Sequence, residues 1–203
     1  MLQAGSSSYR GSRFGWVSFL LLAVAWLTLA PTAAVAAAGQ RPELTPELEA
    51  VRSALEKFND PLVAVANGYF STVGCVQYAD GGMGVHFLNA ALLGPVPDPL
   101  APPILMYEPL DDGELHLVAV EWFVPLATGV KESPVLFGRT FEGPMAGHTP
   151  LLPAELHHYD FHAWIFKENP AGLFHHTNPT VQCVGKSPYA LEEEHPPAVP
   201  NNN

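Results

Sequence analysis

Hydrophobic residues recur at two different periods along the chain, and the change of period predicts helices first and strands afterwards. Leu48, Val51, Leu55 and Phe58 follow helical spacing. The segment 45–47, Thr-Pro-Glu, supplies an N-cap threonine, a proline at the first helical position and an acid in the first turn. Together these signals predict an amphipathic helix with one buried face.

A second helix and five strands are predicted from the segments that follow. Asp60 can cap a new helix and Pro61 fits its first turn, so we expect a second helix that runs to Phe70. Residues 74–84 are rich in glycine and form a predicted loop. Strands are predicted where β-branched and aromatic residues cluster, at 85–88, 104–108, 114–124, 157–166 and 181–183.

This order predicts an α+β fold in which N-terminal helices pack on an antiparallel β-sheet. One domain is expected over residues 45–185, with long loops at the proline-rich segment 93–103 and at 125–153. Asp112 and Gly113 predict the turn of a β-hairpin between the strands 104–108 and 114–124. Residues 186–203 are rich in acid, proline and asparagine and predict a disordered tail.

Residues 1–38 have the pattern of a secretory signal peptide. Two arginines precede the apolar run 14–30, and the small-residue tract A-A-V-A-A-A closes it. Cleavage is expected after Ala36 or Ala38. The alternative is an uncleaved membrane anchor, because the apolar run with its alanine tail is long enough to span a bilayer. In either case we expect the remaining chain to be exported, to the periplasm or out of the cell.

The charge of the chain excludes two classes of partner. Two of the nine basic residues and none of the 20 acidic residues lie in the leader, so the rest of the chain has a formal charge of −13. Such an acidic domain is not expected to bind nucleic acid, which needs phosphate neutralisation, or an anionic membrane surface. After signal cleavage the expected partner is a small molecule, and the sequence does not indicate an oligomeric state.

The two cysteines predict a disulfide. Exported proteins commonly oxidise an even number of cysteines, so Cys75 and Cys183 are expected to pair. The alternative is a thiol metal site or a nucleophile, and it lacks the C-x-x-C spacing that usually accompanies it.

The candidate chemistry is concentrated in residues 157–170, H-H-Y-D-F-H-A-W-I-F-K-E-N-P. Side chains alternate along a strand, so His158, Asp160 and His162 share one face. A helical interpretation places His158 and His162 one turn apart, as in zinc helices. Tyr159 then stands where the catalytic zinc motif requires glutamate, and the aromatic density favours a strand.

The same alternation makes Glu121 the one acid in an otherwise apolar row of the strand 114–124. We therefore predict a mononuclear site on the inner face of the sheet, in which His86, His162 and Glu121 bind a divalent metal. Two imidazoles and one carboxylate suit zinc with an open position, or non-haem iron. Asp160 and Tyr107 are predicted to orient these ligands.

An aromatic pocket is predicted beside the metal ligands, and two ordinary interpretations compete with the site. Phe87, Trp122 and Trp164, together with Tyr107, are expected to line the pocket, and His148 in the long loop is placed to cover it. Alternatively, the two histidines are hydrogen-bonded core residues. In that case, Glu121 is expected to form an ion pair with one of two cations, Arg139 or Lys167.

Several segments resemble a group of exported bacterial proteins whose activity is uncharacterised. The resemblance is carried by G-G-M-G-V-H-F-L-N at 81–89, L-M-Y-E-P at 105–109, V-E-W-F-V-P at 120–125, H-Y-D-F-H-A-W-I-F-K-E-N-P at 158–170, F-E-G-P-M at 141–145 and N-P-T-V-Q-C at 178–183. It implies bacterial export and a single domain, and it implies no activity.

Three functions are compatible with these patterns. The first is an exported protein that binds a metal or a small ligand. The second is a metal-dependent enzyme with two histidines and one carboxylate on the sheet face. The third is an interaction module that uses the 125–153 loop.

Overall fold

The two α-helices of the described region lie at its start. A computed structural model of the protein describes residues 43–201, and the predicted signal peptide and its anchor alternative lie outside this range. Helix α1, Pro46–Leu55, begins at Thr45, whose hydroxyl accepts a hydrogen bond from the Leu48 amide, and it continues as a 3-10 turn, Glu56–Asn59. The predicted apolar face of α1 is buried.

Helix α2, Pro61–Ala66, is shorter than predicted. Asp60 caps it as expected, by accepting a hydrogen bond of 2.8 Å from the Leu62 amide. Gly68 then adopts a φ of 91°, a left-handed conformation that ends a helix. The chain consequently leaves the helix before Phe70, which is the first residue of strand β1.

A seven-stranded sheet dominates the fold. Its strands in chain order are β1 Phe70–Tyr78, β2 Gly81–Leu88, β3 Ile104–Pro109, β4 Leu115–Pro125, β7 Glu142–Met145, β8 His158–Ala163 and β9 Ala190–Glu192. They are arranged in the order β7-β8-β4-β3-β2-β1-β9. All neighbours are antiparallel except β1 and β9. A separate hairpin is formed by β5 Val135–Leu136 and β6 Arg139–Thr140.

The fold-class prediction is confirmed in part. The antiparallel-dominated sheet is present, whereas the helical part of residues 43–201 consists of two short α-helices and 3-10 turns. The buried side chains of α1 share a hydrophobic cluster with one face of the sheet, and a second cluster lies on the opposite face. Among the described residues, no helix has the length and apolar character needed to cross a membrane.

The predicted loop at 74–84 is wrong, because these residues belong to the hairpin of β1 and β2. Its glycines are required by close packing rather than by a turn. A side chain at Gly84, where φ is 92°, would overlap the carbonyl oxygen of Tyr107 on the neighbouring strand. A glycine-rich segment can be a loop or a strand that packs closely against its neighbour. The sequence does not distinguish the two, because the difference depends on the partner strand.

The predicted disordered tail is also wrong in its first part. Strand β9 pairs in parallel with β1, and Glu193 directly after it is buried. The physical reason is the connection at Cys183, which is joined to Cys75 on β1 and so keeps the following residues beside that strand. The folded region therefore extends beyond the predicted boundary at residue 185.

The predicted hairpin of β3 and β4 is present, and its register shifts by one residue along its length. Ile104 lies opposite Glu121, whereas Glu108 lies opposite His116, because Val118 has no partner in β3.

The predicted disulfide between Cys75 and Cys183 is present and joins residues 108 positions apart. Both cysteines are fully buried, and no free cysteine remains among the described residues. A disulfide of this kind is typical of proteins that mature in an oxidising compartment.

We expect the double variant Cys75→Ser/Cys183→Ser to lose about 2–5 kcal/mol of unfolding free energy, because the crosslink restricts a long loop of the unfolded chain. Urea denaturation of the oxidised protein, the reduced protein and the variant measures the loss. Reduced wild type is the matched control and should resemble the variant. An unchanged free energy in both would contradict a stabilising role of the crosslink.

Candidate metal centre

Three strands bring the predicted ligands to one face of the sheet. Glu121 on β4 lies directly opposite His162 on β8, and His86 projects from β2 on the other side of β3. Neighbouring residues of a strand point to opposite faces, so Trp122 and Phe161 lie in the core cluster that contains α1. The polar side chains are thus collected on the face that α1 does not cover.

The two imidazoles lie near one oxygen of the same carboxylate. His86 Nε2 is 3.5 Å and His162 Nε2 is 3.6 Å from Glu121 Oε2. All three side chains are buried. His162 Nε2 has no hydrogen-bond partner. Both imidazoles therefore lie near Glu121, but the three ligand atoms that all lie within 4.8 Å of one another belong to Glu121, Asp160 and His162 and do not include His86. Metal binding stays a prediction.

The distances from the two imidazoles to Glu121 are longer than the distance within a conventional ion pair of this protein. Lys167 Nζ is 2.6 Å from a Glu108 oxygen, a direct charge-assisted hydrogen bond. Ligand atoms bound tetrahedrally at about 2.1 Å from zinc are about 3.4 Å apart. The imidazole–carboxylate separations are close to this value and exceed hydrogen-bond length.

The buried histidines and Glu121 shift one another's pKa values. Burial alone would lower the pKa of His162, but the Glu121 carboxylate raises it to about 9. Burial lowers the pKa of His86 to about 4 despite the same carboxylate. Burial alone would raise the pKa of Glu121, and the His162 charge reverses this and holds it below its usual value. Without a metal, one buried imidazolium faces a carboxylate and the second imidazole is neutral.

Asp160 lies closer to the chemistry than the sequence indicates. One of its oxygens is within 4.8 Å of ligand atoms from both Glu121 and His162, so its position is that of a possible ligand. A second set of ligand atoms, from His148, His158 and Asp160, satisfies the same distance limit. Burial alone would raise the pKa of Asp160, and the His148 and His158 imidazoles lower it below its usual value.

Two residues of this face were missed by the sequence analysis. Glu193 follows β9, within the segment predicted to be disordered, and Tyr78 ends β1, within the predicted loop. The Tyr78 hydroxyl donates to Glu193 Oε2 at 3.0 Å and lies 2.7 Å from His148 Nδ1. Their contact depends on the pairing of β1 with β9, and residue spacing along the chain carries no signal for it.

An apolar cleft opens beside the centre. Its empty volume is about 660 Å³, including the part open to solvent. His86, Glu121, His148 and Glu193 contribute polar atoms, and most of the remaining wall is apolar, including Met83, Ile104, Phe123, Leu151, Leu152 and Leu156. The enclosed cavity measures about 110 Å³, below the range of typical ligand pockets, so it has room for a small apolar group only.

The predicted aromatic pocket is wrong. Phe87, Trp122 and Tyr107 belong to the hydrophobic cluster on the α1 side of the sheet, and the Tyr107 hydroxyl donates to the Phe58 carbonyl at 2.7 Å. Tyr107 is therefore directed away from the centre. Trp164 lies in the cluster on the side of the centre, but it does not line the cleft.

The ordinary partners considered for Glu121 are engaged elsewhere. Lys167 pairs with Glu108, and the Arg139 guanidinium lies 4.5 Å from the centre of the Phe174 ring.

A third group of possible ligands, Asp80, His175 and His176, is partly exposed. Solvated pairs of this type are common on protein surfaces.

Comparisons of the chain with protein-family models, curated proteins and solved structures found no match.

We expect Gly84→Ala to destabilise the sheet beside His86 more than Gly113→Ala destabilises its turn. Both glycines have left-handed φ values, 92° and 84°, so both changes incur about 1–2 kcal/mol of backbone strain. A side chain at Gly113 meets open space, whereas one at Gly84 overlaps a carbonyl of β3. Overpacking adds about 1–3 kcal/mol at Gly84 alone.

Chemical denaturation of the two variants measures this difference, and Gly113→Ala is the matched control. Equal losses of unfolding free energy would contradict the close approach of β2 and β3.

Proposed function

We propose that the protein is an exported metal-binding protein in which His86, Glu121 and His162 bind one divalent transition metal ion. The observation that carries the proposal is the convergence of two buried imidazole nitrogens on a single carboxylate oxygen at 3.5 and 3.6 Å. Each contact is longer than an ordinary hydrogen bond and close to the distance between two ligand atoms on one metal ion. Asp160 supplies a further ligand atom within 4.8 Å of those of Glu121 and His162.

The donor set favours zinc or iron(II). Two imidazoles and a carboxylate form a common zinc site with an open position, and also the facial ligand set of non-haem iron proteins. Thiolate ligands are unavailable to the centre because both cysteines form the disulfide. Asp160 is near enough to complete the ligand set or to orient a metal-bound water.

Export to the periplasm or out of the cell is part of the proposal. It is supported by the Cys75–Cys183 disulfide and by the signal-peptide pattern of residues 1–38. The resemblance to exported bacterial proteins agrees with it.

The adjoining cleft favours a metal-dependent enzyme as the second candidate. Its wall combines His86 and Glu121 of the proposed centre with a largely apolar surface, so a small apolar group bound there would lie beside these two residues. A metal ion held by the centre would supply an activated water for hydrolysis. The 125–153 segment contributes His148 to the same wall, which favours a role in the site over a separate interaction module.

We expect His162→Ala to lower the metal content of the protein by one ion per chain. The test uses protein produced from the full-length sequence, exported to an oxidising compartment and purified without a histidine tag. Elemental analysis after desalting measures the bound zinc and iron. His116→Ala is the matched control, because His116 is an exposed histidine on the same strand as Glu121. Metal that is absent from wild type, or unchanged in His162→Ala, would refute the proposed centre.

We also expect zinc to stabilise the chelator-treated protein through Glu121. A ligand present at about 100 times its Kd stabilises the folded state by about 2.7 kcal/mol. Thermal unfolding with and without added zinc should show this shift for wild type and a clearly smaller shift for Glu121→Gln. Glu114→Gln, at an exposed acid just before β4, should respond as wild type does. Equal stabilisation of both variants would place the zinc elsewhere.

A further inference from the structure

We propose that the centre holds a second divalent metal ion, bound by His148, His158 and Asp160, with Asp160 shared between the two positions. This inference deepens the proposed function and rests on it. The ligand atoms of the second set all lie within 4.8 Å of one another, and Asp160 also belongs to the set formed with Glu121 and His162.

The hydrogen bonding of His158 prepares it as a ligand. Its Nδ1 lies 3.0 Å from the Leu156 carbonyl, an acceptor, so Nδ1 carries the proton. In the neutral ring Nε2 then presents its lone pair, and this atom lies 3.7 Å from Asp160 Oδ2. Nε2 is buried and has no hydrogen-bond partner. A backbone carbonyl that orients the remote nitrogen is the usual support of a metal-binding histidine.

The hydrogen bonds of His148 also leave its Nε2 unprotonated, and here the partners are the side chains of Tyr78 and Glu193. Tyr78 donates its hydroxyl proton to Glu193, so its oxygen accepts from His148 Nδ1 at 2.7 Å. His148 Nε2 is then the unprotonated nitrogen of the neutral ring. It lies 3.8 Å from Asp160 Oδ2, the same oxygen that faces His158.

Two imidazole lone pairs and a carboxylate oxygen thus converge on one buried point. With neutral rings, these lone pairs face one another unless a cation lies between them. The separations of 3.7 and 3.8 Å are too long for hydrogen bonds. Ligands about 2.1 Å from a zinc ion, at an angle somewhat wider than tetrahedral, stand this far apart.

The buried face offers carboxyl groups for two positions. Glu121, Asp160 and Glu193 are buried on this side of the sheet. Asp160 belongs to both sets of ligand atoms, so its carboxylate would lie between two ions. Two ions about 3.5–4 Å apart are typical of two-metal sites.

The experiment counts metal ions in the exported, tag-free, full-chain product after chelator treatment and reloading with zinc alone or cobalt(II) alone. We expect two ions in wild type, one in His162→Ala and one in His148→Ala. His148 is chosen because it is partly exposed in a loop, and His148→Gln separates loss of the ligand from loss of packing. Cobalt-loaded wild type should show the electron paramagnetic resonance of a spin-coupled pair, and each single-ion variant that of an isolated ion.

His176→Ala is the control for the partly exposed group of Asp80, His175 and His176, and it should retain two ions. A wild type with one ion, lost in His162→Ala and kept in His148→Ala and His148→Gln, would overturn the second position and leave the proposed function standing. Two ions of which one is lost in His176→Ala would overturn it as well. A wild type that binds no ion would overturn both proposals.

Discussion

The burial of carboxylates on one face of the sheet is the constraint around which the structure is arranged. Glu121 and Asp160 lie on adjacent central strands and are almost inaccessible to solvent. An ionised carboxylate in the protein interior is strongly destabilising unless charges and hydrogen bonds compensate it. Here the compensation comes from imidazoles, which are also good metal ligands. The Glu121 carboxylate raises the pKa of His162, so a proton on this imidazole compensates the buried charge. In the proposed centre, a metal ion would take the place of that proton.

The edge of the sheet formed by β1 and β9 helps to position the residues around the buried carboxylates. The disulfide at Cys183 keeps the C-terminal segment beside β1, and β9 then places Glu193 against Tyr78. Tyr78 in turn orients His148, which comes from the long segment between β4 and β8. The disulfide is thus coupled to the geometry of the proposed centre. This coupling explains why residues that are distant in sequence contribute to one small buried region.

Strand alternation was enough to predict part of the fold and of the site. It placed His162 and Asp160 on the face of β8 that meets Glu121, and helical spacing predicted α1. The predictions failed where a contact depends on a partner strand. Gly84 has the pattern of a turn residue, yet it lies in a strand because its neighbour leaves no room for a side chain. Tyr107 packs on the opposite face, and a one-residue register shift beside it is not visible in local spacing.

Binding of metal ions by nitrogen and oxygen ligands can be measured by X-ray absorption spectroscopy of the zinc-loaded protein. We expect a first shell of nitrogen and oxygen at about 2.0–2.2 Å with the outer-shell scattering of imidazole, and a metal–metal vector of about 3.5–4 Å. A sulfur shell at about 2.3 Å, or a shell of water oxygen without imidazole scattering, would contradict it.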